Sequence, residues 1–144
     1  MQVKIKKLHP DAQIPTYAHG PAEDAGMDLR SVEAITILPA QIYAVATGLA
    51  IELPPGYEAQ IRPRSGLALK SSITIPNAPG TIDPSYRGEI KVILLNLGGA
   101  PFVIAPGDRI AQMVVAKYEA VEFVEEELNS SERGAGGFGS SGVA

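Results

Sequence analysis

The sequence predicts an all-β protein built as an antiparallel sandwich or barrel. Short apolar runs recur about every eight to twelve residues, and glycine or proline separates them, which is typical of that class rather than of an α/β sheet. Several runs alternate apolar with polar residues, the period of a half-buried strand. The 144 residues correspond to one domain, long enough to bury a core.

The first element is predicted from the alternation over Val3–Ile5, and residues 8–26, rich in proline and glycine, predict an extended surface segment. Further strands are predicted over these runs: Ile35–Leu38, Ile42–Val45, Leu49–Leu53, Tyr57–Arg62, Lys91–Leu95, Phe102–Ile104, Ile110–Lys117 and Val121–Val124. The only helix predicted in the body is Ser65–Lys70, with Ser65 as its N-cap.

Residues 77–90 lie between two apolar runs near the middle of the chain and predict a broad β-hairpin. Pro79-Gly80 and Asp83-Pro84 are turn signals, so the Asp83 carboxylate and the Tyr86 ring would lie close to the bend. A carboxylate on a proline-stiffened backbone is well placed to orient a water molecule. The alternative is that Asp83 merely caps its own turn, and that Tyr86 is a half-buried ring with a wet hydroxyl.

Composition limits the classes of partner. The net charge of −4 argues against a nucleic-acid surface, because binding a phosphate backbone needs a basic face, but it allows a small anionic ligand held by a few arginines. Cysteine is absent, which excludes disulfides and thiolate chemistry. No apolar run approaches the ~20 residues of a transmembrane helix, and the N-terminus does not resemble a signal peptide. We therefore expect a cytoplasmic protein with no membrane partner.

From Glu125 the composition changes to an acidic run and then to serine, glycine and alanine. Such a segment cannot bury enough surface to order itself, so we expect a domain over residues 1–127 and a flexible arm over residues 128–144. Gly134–Gly139 matches G-x-G-x-x-G, but the dinucleotide-binding fingerprint needs a preceding strand and a following helix. The chain ends five residues after Gly139, so we exclude a Rossmann unit.

Five segments, in order, resemble the signatures of the trimeric deoxyuridine triphosphatase (dUTPase) family, and together they span the chain from Asp28 to Gly142. They are Ala25–Leu29, Pro63–Ala68, Gly80–Gly88, Gly107–Gln112 and Arg133–Gly142. The central one fits the family core G-x-I-D-x-x-Y-x-G. The resemblance implies a distorted jelly-roll β-sandwich (a β-clip) with one short helix, and a homotrimer whose subunits share active sites. It also implies hydrolysis of dUTP to dUMP and pyrophosphate. Ser141 departs from the threonine more common in the family but keeps the hydroxyl.

The resemblance assigns roles within the central segment. Asp83 is implied to be the general base for the water that attacks the α-phosphorus. The ring of Tyr86 is implied to pack under the deoxyribose, and the Asn77 amide to recognise the pyrimidine. Main-chain groups around Gly80 and Ile82 complete that recognition, and Thr81 and Lys91 belong to the same implied substrate-binding set.

A second implied group holds the phosphates. Arg64, Ser65 and Gly66 offer a guanidinium fork, a hydroxyl and free N–H groups at a helix start, with Gln112 and Arg109 contributing from another strand. Ala111 and Met113 suit core-facing positions, so Gln112 would point the opposite way. Arg109 has an alternative as a surface residue paired with Asp108.

Asp28 is implied to bind Mg²⁺ through water, since that ion keeps much of its hydration shell; the alternative is an ion pair with Arg30. In the arm, Arg133 would reach the terminal phosphate and Phe138 would stack on the uracil. Gly139 and its neighbouring glycines would wrap the phosphates with main-chain N–H groups. Closure of the arm would exclude water from the site.

Two other functions fit the resemblance less well. A dCTP deaminase on the same fold would need a glutamate near the amino group of the base, and the sequence shows no obvious one. A non-catalytic nucleotide-sensing trimer would retain the pocket without turnover. His9 and His19 have no evident partners in the sequence, so we expect both to be incidental.

Overall fold

The computed structural model describes all residues, 1–144, and contains eleven strands and one short helix. In order these are β1 (Lys4–Lys7), β2 (Met27–Arg30), β3 (Ile35–Ile37), β4 (Ile42–Ala46), β5 (Leu49–Glu52), β6 (Tyr57–Arg62), α1 (Ser65–Ser71), β7 (Ile73–Thr74), β8 (Gly80–Ile82), β9 (Lys91–Asn96), β10 (Phe102–Ile104) and β11 (Arg109–Lys117). The all-β prediction is confirmed. No helix has the length and apolar character needed to cross a membrane.

The strands form four small sheets, and every strand pair is antiparallel. One sheet has the order β2-β11-β6-β8, a second has the order β4-β9-β7, and β1-β5 and β3-β10 form two further pairs. Most neighbours are distant in sequence, as in β2 with β11 and β3 with β10. Such return connections between facing sheets are those of a jelly-roll sandwich, as predicted.

Eighteen buried residues form a single core between the sheets. Strand β9 shows how alternation builds it, since Val92 and Leu94 are buried while Lys91 is exposed and Ile93 is partly exposed. The same period holds in β11, where Ala111 and Met113 are buried and Gln112 faces the opposite side, as predicted. Each strand therefore offers one face to the core and leaves the other for solvent or a ligand.

The predicted hairpin over residues 77–90 is wrong. Strand β8 pairs with β6, whereas β9 pairs with β4 and β7, so the chain crosses from one sheet to another instead of turning back. Ile90 is fully buried, and its burial commits the chain to the second sheet before β9 begins. Asp83 consequently starts a crossover between sheets, which we call the crossover turn (residues 83–90).

Two smaller predictions are also wrong. Residues 121–124 form no strand, and the side chain of Phe123 is 93% exposed, because no sheet edge of this chain lies beside them. The N-cap of α1 is Arg64 without a side-chain hydrogen bond, and Ser65 is the first helical residue. Strand β2 was not predicted. The extended segment before it contacts it through one isolated bridge, between Thr16 and Asp28.

Asn96 is the buried polar residue that most directly links separate parts of the fold. Its amide nitrogen donates to the carbonyl oxygens of Ile37 and Ala100, both at 2.9 Å, and its Oδ1 accepts from the Gly98 N–H at 2.9 Å. The side chain is completely buried. One amide therefore satisfies three main-chain groups, of which the Ile37 carbonyl is buried and the other two are partly buried.

We expect Asn96→Ala to lower the free energy of unfolding by about 1–3 kcal/mol, since it leaves the buried Ile37 carbonyl without a partner and removes two partly buried hydrogen bonds. Urea unfolding at fixed protein concentration measures this loss. The exposed neighbour provides the control, because Leu97→Ala should change stability by no more than about 0.5 kcal/mol. Equal losses for the two variants would contradict the role given to the amide.

Candidate active site

A cavity of about 620 Å³ opens where the chain crosses between the sheets. Seven predicted site residues line it: Asn77, Gly80, Thr81, Ile82, Asp83, Tyr86 and Lys91. The structure therefore brings together the general base and all the residues assigned to the base and the sugar except Phe138. They converge because β8 ends at the mouth of the cavity while the outward face of β9 supplies its opposite wall.

The cavity combines an apolar wall with few polar groups. Ile61, Ile75 and Ile93 supply the wall, and Asn77 supplies an amide at the edge. Gly80 is paired with Ile61, and a Cβ added there would lie 3.3 Å from the Ile61 Cβ and 3.4 Å from the Asn77 Nδ2. Glycine thus keeps the main chain of β8 accessible beside the amide. An apolar slot with a few placed polar groups suits a flat heterocycle.

Strand β8 also exposes main-chain hydrogen-bonding groups at the cavity. It is the last strand in the order β2-β11-β6-β8, and it pairs only with β6. The outer edge of such a strand presents N–H and C=O groups without strand partners. A planar ligand with adjacent donors and acceptors could pair with this edge much as another strand would.

The crossover turn holds Tyr86 at its main chain and at its hydroxyl. The Tyr86 N–H donates to the Asp83 carbonyl oxygen at 3.1 Å, and the Tyr86 hydroxyl donates to the Glu89 carbonyl oxygen at 2.8 Å. Gly88 leaves room for the ring, because a Cβ there would lie 2.5 Å from the Tyr86 Oη. Since the main-chain carbonyl of Asp83 closes the turn, its carboxylate is not needed for capping.

A second cavity, of about 210 Å³, lies at the β2 edge of the four-stranded sheet. Five predicted residues line it: Asp28, Arg64, Ser65, Gly66 and Gln112. Gln112 is held by donation from its Nε2 to the Pro63 carbonyl oxygen at 2.9 Å. A Cβ at Gly26 would collide with the Gln112 Oε1, so that glycine also keeps the amide in place.

Asp28 sits between two arginines and not beside Arg30. Its Oδ1 lies 3.4 Å from the Arg64 Nε, and its Oδ2 lies 3.4 Å from the Arg109 Nη1. Arg30 instead donates to the Gly107 carbonyl oxygen at 2.7 Å. The predicted alternative of an Asp28–Arg30 pair is therefore wrong, and Arg109 pairs with Asp28, not with Asp108. Since two guanidiniums share one carboxylate, each keeps N–H donors that suit the oxygens of an anion.

The residues suit a magnesium ion only if most of its ligands are water and phosphate oxygens. No group of three or more histidine, aspartate or glutamate side chains is placed to hold a metal. Asp28 offers carboxylate oxygens at the cavity, and its two arginine contacts at 3.4 Å are longer than strong charge-assisted hydrogen bonds. An ion coordinated mainly by water and phosphate, with Asp28 acting through water, matches this donor set.

Sequence reasoning missed three groups at the two cavities. Glu89 lines the larger one, and His19 and Asp24 line the smaller one. The main-chain N–H of His19 donates to the Asp24 Oδ2 at 2.6 Å, and the ring Nδ1 of His19 lies 3.1 Å from the same oxygen. These two contacts hold the pKa of Asp24 below its ordinary value. His19 was expected to be incidental. A histidine and an aspartate in an irregular segment give no periodic signal, so only folding reveals the pair.

The predicted residues of the C-terminal segment, Arg133, Phe138 and Gly139, line neither cavity. The hydrogen bonds of the C-terminal segment run within it, including donation from the Arg133 Nε to the Gly136 carbonyl oxygen at 2.7 Å. Phe138 is fully exposed, and both it and Gly139 have positive φ angles, of 51° and 82°. The two cavities share no lining residue. One chain thus presents three separate groups of predicted residues.

Comparison with known proteins gives one consistent result. The dUTPase family model matches residues 11–142. The deoxyuridine 5′-triphosphate nucleotidohydrolase of Solibacter usitatus is 66% identical over 99% of this chain and 97% of its own length. That of Wolinella succinogenes is 56% identical over 99% and 95%.

Solved structures agree with the sequence relatives. A mutant of the Staphylococcus bacteriophage 80alpha dUTPase with dUpNHpp has a TM-score of 0.90 and 29% identity, over 99% of both chains. The 80alpha dUTPase with dUpNHpp has a TM-score of 0.85 and 31% identity, also over 99% of both chains. The fold, the order of the five signature segments along the sequence and these relatives all agree. The chain belongs to the dUTPase family.

Proposed function

We propose that this protein hydrolyses dUTP to dUMP and pyrophosphate. The observation that carries the proposal is the larger cavity, where a carboxylate and an aromatic ring on one turn face an apolar slot. The nucleotidohydrolase relatives and the dUpNHpp-bound neighbours support the same substrate. We further propose that the enzyme is cytoplasmic, supplies dUMP for thymidylate synthesis and keeps uracil out of DNA.

The uracil would bind against β8. Its imide N–H and two carbonyl groups alternate acceptor, donor and acceptor, which suits the free main-chain edge at Gly80 and Ile82 together with the Asn77 amide. The isoleucine wall would cover one face of the ring, and Thr81 and Lys91 would border it. A base with an amino group in place of a carbonyl would meet the wrong hydrogen-bonding partners.

The sugar would lie on the Tyr86 ring. A 2′-hydroxyl there would collide with the ring and lose its hydrogen bonds to water. An apolar pocket alone rejects an added hydroxyl only modestly, about 10²-fold, so the rigid placement of the ring by Glu89 and Gly88 contributes to selection.

Asp83 would act as the general base. Its carboxylate would accept a proton from water as the water oxygen bonds to the α-phosphorus. The bond from that phosphorus to the bridging oxygen would break, and pyrophosphate would leave with the bonding pair. No covalent intermediate with the protein is required.

The phosphates would be held by Arg64, Ser65, Gly66, Gln112 and Arg109. Their donors would stabilise charge that builds up on the leaving pyrophosphate, with the two guanidiniums exchanging contacts with Asp28 for contacts with phosphate oxygens. When bound, Mg²⁺ would offset negative charge on the triphosphate, and Asp28 would hold it through water.

We propose a homotrimer in which each site takes parts from different subunits. The separation of the two cavities in one chain supports this arrangement, since no residue belongs to both. One subunit would provide the base and sugar cavity, a second would provide the phosphate residues, and a third would provide residues 128–144 as a flexible arm. Arg133 would contact the terminal phosphate, Phe138 would stack on the uracil, and Gly139 would let the arm wrap the phosphates.

A nucleotide panel tests the proposal. Among the common nucleoside triphosphates, only dUTP should release pyrophosphate rapidly, and chelation of Mg²⁺ should slow that release. Since Glu89 places a second carboxylate at the cavity, dCTP should also be assayed for ammonia. Ammonia release without pyrophosphate would indicate a deaminase, and binding of dUTP without any turnover would indicate a nucleotide sensor.

Asp83→Asn should lower kcat for dUTP about 10²–10⁴-fold while KM changes little, because the amide occupies the same space but cannot accept the proton from water. Steady-state kinetics and direct binding of a non-hydrolysable dUTP analogue measure the two effects. Near-full turnover by the variant would contradict the role of this carboxylate.

Truncation after Glu127 should leave a folded protein that binds dUTP weakly and turns it over poorly. The fold should persist because residues 128–144 bury no core side chain. Circular dichroism and size-exclusion chromatography test the fold, and dUTP kinetics test the arm. Wild-type kinetics in the truncated protein would exclude a closing arm.

A further inference from the structure

The crossover turn is braced by Arg87, a side chain that does not line the larger cavity. The Arg87 Nη1 donates to the carbonyl oxygens of Pro84 at 2.6 Å and of Tyr86 at 3.2 Å. These two carbonyls belong to the stretch that joins Asp83 to Tyr86. One guanidinium thus ties together the main chain that carries both proposed functional side chains.

Glu52 holds this guanidinium from the neighbouring sheet. The Arg87 Nη2 lies 3.5 Å from the Glu52 Oε1. Glu52 ends β5, directly after Ile51, which is buried and pairs with Ile5 of β1. The carboxylate therefore projects from a strand with a fixed position. Arg87 links the turn to that strand by contacting both.

Neither residue is placed to touch the substrate. Arg87 and Glu52 line a separate groove of about 530 Å³, together with Pro84 and Ser85, and neither lines the larger cavity. Within one chain, the pair is connected to Asp83 and Tyr86 through the main chain of the turn.

We propose that Glu52 and Arg87 are positioning residues that fix the orientation of the Asp83 carboxylate and the Tyr86 ring. This inference rests on the proposed dUTP hydrolysis. Rotation of the peptide groups after Pro84 or Tyr86 would move both side chains together. A misplacement of about 1 Å can cost about 10²-fold in rate, so a brace far from the reacting atoms can matter.

The pair contributes little to global stability, which separates a positioning role from a structural one. Both side chains are about half exposed, 54% for Arg87 and 45% for Glu52, and exposed ion pairs add little to stability. Loss of the brace should therefore lower the rate without a matching loss of the folded state.

The experiment compares Arg87→Lys and Glu52→Gln with a matched control, Lys4→Gln. Lysine keeps the charge but loses the planar fork that reaches two carbonyls and a carboxylate at once. Lys4 pairs with the other oxygen of Glu52, at 3.6 Å, and forms no hydrogen bond or ion pair with the crossover turn, so its variant removes one ion pair of the same carboxylate. Melting temperature and oligomeric size are recorded for every protein.

We expect both test variants to lower kcat for dUTP about tenfold and to raise the share of UTP hydrolysed relative to dUTP. The kcat of the double variant should be no lower than that of the more impaired single variant, because the two residues form one brace. Lys4→Gln should match the wild type, and all melting temperatures should stay within a few degrees. Hydrogen exchange at the Tyr86 amide should quicken at least several-fold in the test variants only.

Unchanged kcat and unchanged Tyr86 amide exchange in both test variants would overturn the inference. An equal loss in Lys4→Gln would overturn it too, because that result would point to the β1–β5 pair as a whole. If the wild type fails to hydrolyse dUTP, the proposed function fails instead. The exchange of the Tyr86 amide still tests the brace in that case, because it needs no substrate.

Discussion

The main-chain hydrogen bonds of Ile90 are the constraint on which the larger cavity depends. Its N–H donates to the Leu49 carbonyl oxygen at 2.7 Å, and its carbonyl accepts from the Thr47 hydroxyl at 2.6 Å. Ile90 and Thr47 are completely buried. These bonds fix the C-terminal end of the crossover turn, and the pairing of β8 with β6 fixes its N-terminal end. The turn must therefore span a gap between two sheets. That gap is the cavity, and Asp83 stands at its entrance.

The smaller cavity depends on a different interaction, the double ion pair of Asp28. Arg64 precedes α1, Asp28 lies in β2 and Arg109 begins β11, so one carboxylate gathers three elements. Because the two arginines share this carboxylate, each guanidinium keeps N–H donors that do not contact it. A bound triphosphate would therefore compete with Asp28 for the same guanidiniums, and a cation near Asp28 would ease that competition.

Much of the fold was predictable because burial in this chain is periodic. Strand β6 alternates apolar and polar residues between Gly56 and Pro63, whereas β9 is an apolar run in which burial, rather than polarity, alternates. Prediction failed where order depends on a neighbour that the sequence does not reveal. Residues 121–124 have the composition of a strand but no partner edge in this chain, and residues 83–90 carry turn signals yet cross between sheets.

The sequence by itself determined the fold class, the family and the identity of the candidate groups, because alternation and signature spacing are local properties of the chain. Only the tertiary structure decided which of those groups meet. It joined Asn77, Asp83 and Lys91 in one cavity, gave Asp28 two arginines, and placed His19 and Glu89 where no motif indicated them. The physical reason is that antiparallel pairing brings together residues far apart in sequence, and their proximity is set by sheet order and register.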